Sequence, residues 1–122
     1  MKTEPDTILG KRILLVDDKR VERELIKGLL CKDEHIVIEA NNGAEAYSLF
    51  TQSRFDLVMT DRVMPFMNGD ELALRIRQVA PQQPILMVTG ENYRRGPRNP
   101  FNAILNKPFE YSDLQEEIKK LL

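Results

Sequence analysis

Five side chains in this sequence could act together on a phosphoryl group or a metal ion: Asp17, Asp18, Asp61, Thr89 and Lys107. Each stands at or just beyond the C-terminal end of a short apolar run. Ile13 to Val16 ends at Asp17-Asp18, Phe55 to Thr60 at Asp61, Pro84 to Val88 at Thr89, and Ala103 to Leu105 at Asn106-Lys107. Three carboxylates brought close together repel one another and rise in pKa unless a cation joins them. Mg²⁺, a hard cation, takes a few carboxylates together with waters and phosphate oxygens. Lys107 would add a second positive charge, and Thr89 a hydroxyl donor for an oxyanion. Such a set suits phosphoryl transfer, where catalysis is mainly positioning and neutralisation of charge. A carboxylate oxygen can also be the nucleophile, giving an acyl phosphate. Singly, each residue has a plainer use: the Asp pair as a helix cap, Asp61 in an Asx turn, Thr89 as a strand residue, Lys107-Pro108 as a solvated turn. Their recurrence at four strand ends makes the plain uses a poor account of the set.

The apolar runs read as strands buried on both faces of a parallel sheet. His35 to Ala40 alternates more and reads as a strand nearer an edge. Helical patterns lie between the strands. The first places Val21, Leu25, Leu29 and Leu30 on one side and Arg20, Glu24 and Lys27 on the other, with Cys31 as a packing residue at its end. The second, about Ala44 to Ser53, has Asn42 and Glu45 at capping spacing and a buried face of Ala46, Leu49 and Phe50. The third follows Gly69, with Leu72, Ile76 and Val79 inward, Arg75 and Arg77 outward, and Pro81 as its stop. The last, about Ser112 to Leu121, has Ser112 as a cap with Gln115 three on, and Leu114 and Ile118 inward. Strands alternating with helices imply an α/β fold with a parallel sheet covered on both faces. All strand C-termini then share one edge, where open α/β sheets bind ligands.

The stretch from Gly90 to Phe101 breaks this rhythm. Pro97 and Pro100 lack backbone donors and bias Gly96 and Asn99 away from helical angles. It is expected to be irregular, anchored by Tyr93 and Phe101, with Arg94, Arg95 and Arg98 as an exposed basic patch.

At 122 residues the chain is expected to be one domain, with residues 1–10 as a polar tail and 11–122 as the folded unit. A hydrophobic share of 42%, a charged share of 30% and a net charge of −1 are those of an ordinary soluble protein. They argue against direct nucleic-acid binding and against a membrane surface. One cysteine excludes an internal disulfide framework and fits a reducing compartment. No apolar run approaches the roughly 20 residues of a membrane span, so a cytoplasmic location is the expectation.

The chain resembles a response-regulator receiver domain of the CheY-like type. The matching pieces are Leu14-Leu15-Val16-Asp17-Asp18, Asp61-Arg62-Val63-Met64-Pro65-Phe66-Met67-Asn68-Gly69, Val88-Thr89-Gly90 and Lys107-Pro108-Phe109. The resemblance covers about Arg12 to Leu122. It implies a flavodoxin-like three-layer sandwich with strand order 2-1-3-4-5, an order given for this fold as a known example. It further implies that Asp61 is the phosphoacceptor and that Thr89 and Lys107 contact the phosphoryl oxygens. Mg²⁺ would be held directly by Asp18, Asp61 and the Val63 backbone carbonyl, with Asp17 acting mostly through water. The Lys107-Pro108 bond would be cis. The donor would be a sensor histidine kinase or phosphotransfer protein, and the output a conformational switch read by an unknown partner or attached domain, without multiple turnover. One departure from the family is Ile104, where many receivers carry an aromatic residue three before the lysine.

Other classes fit less well. Metal-dependent phosphatases with an Asp nucleophile commonly need a second Asp two residues on, where this chain has Val63. A nucleotide or flavin module would need a glycine-rich loop after the first strand, where two Asp stand instead. A degenerate scaffold would not need the intact acid, hydroxyl and lysine set.

Overall fold

The computed structural model describes residues 7–90 and 99–122. The elements run β1 (Arg12–Val16), α1 (Arg20–Cys31), β2 (Ile36–Ala40), α2 (Gly43–Gln52), β3 (Leu57–Asp61), α3 (Gly69–Val79), β4 (Ile85–Thr89), β5 (Ala103–Asn106) and α4 (Tyr111–Leu121). The strands form one sheet in the order β2-β1-β3-β4-β5, every pair parallel. The order implied by the family resemblance is therefore the order observed. The expected irregular stretch with Tyr93, Arg94, Arg95 and Arg98 lies outside the described residues, except for its ends. At one of those ends Phe101 is 5% exposed and packs in the core, as expected of an anchor.

Successive strand residues point to opposite faces, and the core divides accordingly. Leu14, Val16, Val58, Ile85 and Met87 face α2 and α3, meeting Ala46, Leu72, Ala73 and Ile76. Ile13, Leu15, Leu57, Met59, Leu86 and Val88 face the other way, onto Ile26 and Leu30 of α1 and Leu114 and Ile118 of α4. β3 and β4 are buried at every position. β2, with Ile36 exposed, is an edge strand as its alternation suggested. Ile8, from the supposed tail, also packs against the second layer, and Gly10 N–H donates to Asp33 O.

Several helix faces differ from their sequence reading. In α1 the buried residues are Ile26 and Leu30, while Val21 and Leu25 are exposed. The five apolar residues of α1 spread over more than one face, and the sheet takes the face centred on Ile26. Cys31 is likewise exposed rather than packed. In α3, Ala73 joins Leu72 and Ile76 inside, and Val79 in the last turn is exposed. α4 begins one residue earlier than expected. Glu110 and Asp113 form a reciprocal capping box, in place of Ser112 and Gln115. The caps of α2 and α3 are asparagines: Asn42 accepts from Glu45 N–H at 2.8 Å, and Asn68 from Glu71 N–H at 2.9 Å. Glu45 completes the first by accepting from Asn41 N–H.

Arg77, expected to face outward, is instead half-buried. Its guanidinium donates to the carbonyls of Pro81, Gln83 and Pro100 and to the Asn102 side chain. This ties the α3–β4 turn to the chain entering β5.

Candidate functional site

The parallel sheet brings the strand ends together. β3 is central, with β1 and β4 beside it, so Asp61 stands between the ends that carry Asp17 and Thr89. All three are buried: Asp17 is 2% exposed, Asp61 6% and Thr89 1%. Lys107, just past β5, is held beside Thr89 by a bond from its own N–H to Thr89 O at 2.8 Å. The Lys107-Pro108 bond is cis. A pocket of about 330 Å³ opens here, lined by Lys19, Glu22, Asp61, Val63, Thr89 and Lys107.

The loop after β3 is fixed close to Asp61. Gly69 N–H donates to Arg62 O at 2.8 Å. A Cβ at Gly69 would lie 2.3 Å from Asp61 O, so only glycine allows this approach. Phe66 in the same loop has φ 70° and is 91% exposed.

The two oxygens of Asp61 are in different states. Oδ1 accepts from Arg62 N–H at 2.7 Å. Oδ2 is buried and accepts no hydrogen bond among the described residues. It faces two ammonium groups, Lys107 Nζ at 3.4 Å and Lys19 Nζ at 3.6 Å. Lys19 also lies 3.8 Å from Asp18 Oδ1, so a single cation reaches both Asp18 and Asp61.

Carboxylate oxygens of Asp17, Glu22 and Asp61 lie within 4.8 Å of one another. The consequence falls on Asp17. Burial, then its hydrogen bond with Glu22, push its carboxyl up from 3.8 to about 7. Burial also acts to raise Glu22. The adjoining Asp17 carboxyl and the Lys107 ammonium, with Lys19 further off, together outweigh that and hold it below the usual range. The two acids interact closely, so their titration belongs to the pair and not to either residue alone. Lys19 is raised: burial opposes the charge, but the carboxylates of Asp61, Asp18, Glu22 and Asp17 together outweigh it.

The structure brings together Asp17, Asp61, Thr89 and Lys107, with Val63 at the rim. Asp18 is exposed and reaches the group through Lys19. Glu22 and Lys19 were not foreseen as site residues. Glu22 lies four positions after Asp18, in the first turn of α1, where side chains lean back toward the helix N-terminus. That spacing is the signal that could have revealed it.

The donor set fits Mg²⁺. Its atoms are all hard oxygens, two of them, Glu22 Oε2 and Asp61 Oδ2, buried without a hydrogen bond among the described residues, and Asp17 is raised chiefly by burial, with the charges of Glu22 and Asp61 adding to it.

A parallel five-stranded sheet with acids and a lysine converging at its C-terminal edge defines a class of phosphoryl-handling α/β domain, and the comparisons agree. Residues 13–119 match the response regulator receiver domain. The chain is 37% identical over 118 residues to the response regulator receiver protein CpdR of Brucella abortus, covering 92% of this chain and 97% of that protein. The response regulator TrrA of Thermotoga maritima, solved with Mg²⁺ and BeF, superposes with a TM-score of 0.86 at 35% identity, over 92% of this chain and 99% of that one. The receiver domain of a sensor histidine kinase from Pseudomonas aeruginosa, with a magnesium ion coordinated in its active site cleft, gives 0.84 at 25% identity, over 92% and 97%. This chain belongs to the response regulator receiver domain family of two-component signalling. Among its described residues, no helix is long and apolar enough to cross a membrane.

Proposed function

We propose that Asp61 is the phosphoacceptor of this receiver and that its Oδ2 is the attacking atom. The observation that carries this is the asymmetry of the carboxylate: Oδ1 is occupied by Arg62 N–H, while buried Oδ2 faces Lys107 and Lys19 across an open pocket. Oδ2 attacks the phosphorus of a phosphohistidine on a sensor kinase or phosphotransfer protein. A P–O bond forms to Asp61 as the P–N bond breaks, and the donor imidazole leaves with the electron pair. Lys107 and Thr89 receive the phosphoryl oxygens, so developing charge meets groups already in place. Asp18, Asp61 and the Val63 carbonyl are the direct metal donors in this reading, with Asp17 acting through water. Mg²⁺ supplies positive charge that neutralises the phosphoryl oxygens. The product is a conformational preference that a partner or attached domain reads, in the cytoplasm, without multiple turnover and without direct nucleic-acid or membrane contact.

The test is intact-mass spectrometry after incubation with acetyl phosphate and Mg²⁺. The wild-type chain should gain one phosphoryl group, and Asp61→Asn none while keeping its fold by circular dichroism. Phosphorylation of Asp61→Asn at the wild-type level refutes the assignment.

A further inference from the structure

The Lys107 ammonium is not aimed chiefly at Asp61. It lies 2.8 Å from Glu22 Oε2 and 3.4 Å from Asp61 Oδ2, so the ion pair with Glu22 is the closer of the two, while neither oxygen accepts a well-directed hydrogen bond among the described residues. Both partners are partly buried, with side chains 18% and 28% exposed. A charge pair partly withdrawn from water is screened less than one at the surface. Glu22 is a feature of α1, not of a strand end, and its carboxylate also lies within 4.8 Å of the Asp17 carboxylate.

We infer that Glu22 is a positioning residue that restrains Lys107 in the resting chain, so that phosphorylation requires the ammonium to pass from Glu22 to the phosphoryl oxygens. The inference rests on Asp61 being the phosphoacceptor. Only the lysine side chain has to move, because its backbone is fixed to Thr89 O. Room for the motion exists. The pocket of about 330 Å³ is lined by Glu22, Lys107, Asp61 and Thr89 together, so the ammonium has space between its two partners; a separate groove of about 520 Å³, with Leu25, Ile26, Pro108 and Phe109, also adjoins the pair. The restraint lowers the population of the state in which Lys107 can meet a phosphoryl group, and the apparent affinity falls by that fraction. The same contact couples α1 to the loop before α4, so occupancy of Asp61 is transmitted to the groove between them.

The test measures binding of beryllofluoride, a non-covalent stand-in for the phosphoryl group, in the presence of Mg²⁺. Amide NMR shifts follow the wild-type chain, Glu22→Gln and Glu22→Asp. Gln removes the charge in the same shape. Asp keeps the charge but withdraws it by about 1.5 Å, one carbon–carbon bond, out of reach of Lys107. Both variants should bind more tightly, by about fivefold or more, the lower range of coupling between sites. If Gln tightens binding and Asp does not, the effect is the field of a carboxylate and the restraint is refuted. Unchanged or weaker binding in both refutes it as well. A wild-type chain that binds no beryllofluoride overturns the assignment of Asp61, and the restraint with it.

Discussion

Asp17→Asn should make the metal-free chain more stable at neutral and alkaline pH. The structure gives both the sign and the size. Asp17 rises from 3.8 to about 7 on folding, so between those values the native state binds more protons than the unfolded chain. Stability therefore falls as pH rises through that window. At 1.36 kcal/mol per pKa unit, the full cost above pH 7 is about 4 kcal/mol. The depressed Glu22 offsets part of it, since a lowered carboxyl favours the native state above its unfolded value. Asparagine mimics the protonated form: its Oδ1 can still accept from Lys19 N–H, as Asp17 does at 2.8 Å, and its amide can donate to Glu22. For a domain of this size the gain corresponds to a melting point higher by on the order of 10 °C. Urea melts in EDTA at pH 8 and at pH 4 measure it. The gain should be full at pH 8, small at pH 4, and reduced at pH 8 by saturating Mg²⁺, which relieves the same crowding. A variant no more stable at pH 8 than at pH 4, relative to wild type, refutes the reasoning.

Val63 borders the pocket and cannot hydrogen-bond a water attacking the phosphoryl group in line. Val63→Asn should shorten the lifetime of the phosphorylated chain, and an equal or longer lifetime in a dephosphorylation time course counts against the role. Gly69→Ala places a Cβ against the Asp61 carbonyl; a loss of about 1 to 3 kcal/mol is expected for such overpacking, and a chemical melt within a few tenths of wild type would contradict the packing. His35 is buried, its Nδ1 accepting from Lys11 N–H at 2.9 Å, and burial lowers its pKa. The unfolded chain therefore binds a proton first, and stability should drop as pH falls below 6.5 toward the folded value. In paired urea melts, His35→Asn should lose less stability over that window than wild type.

The sheet was legible because β1, β3 and β4 are continuous apolar runs, and only a doubly covered parallel sheet has use for several of them. The site was legible at the level of strand ends for the same reason: parallel strands fix which ends meet, whatever the intervening helices do. Helix faces were less legible. α1 carries apolar residues on more than one face, and periodicity alone did not show whether Val21 and Leu25 or Ile26 meet the sheet. Val79 and Cys31 were misplaced by extending a face into a last turn that leaves the core. Glu22 was missed because it belongs to a helix and reaches the site only through the direction in which helical side chains lean. Lys19 was missed because its backbone caps α1 while its ammonium turns back to Asp18 and Asp61, a choice set by charge and not by pattern.

The place of β3 in the sheet has a consequence for how long a signal is kept. Its neighbours β1 and β4 bond it on both sides, and helices cover both of its faces. Such a strand opens only with the whole domain, while edges and loops open locally at much lower cost. The acyl phosphate would thus ride on the part of the molecule least subject to breathing. Water would reach it through the mouth of the pocket, where Val63, Lys19 and Lys107 stand, and not through transient unfolding. Signal duration and thermodynamic stability are thereby separable, and substitutions at the pocket mouth can retune the first while leaving the second in place.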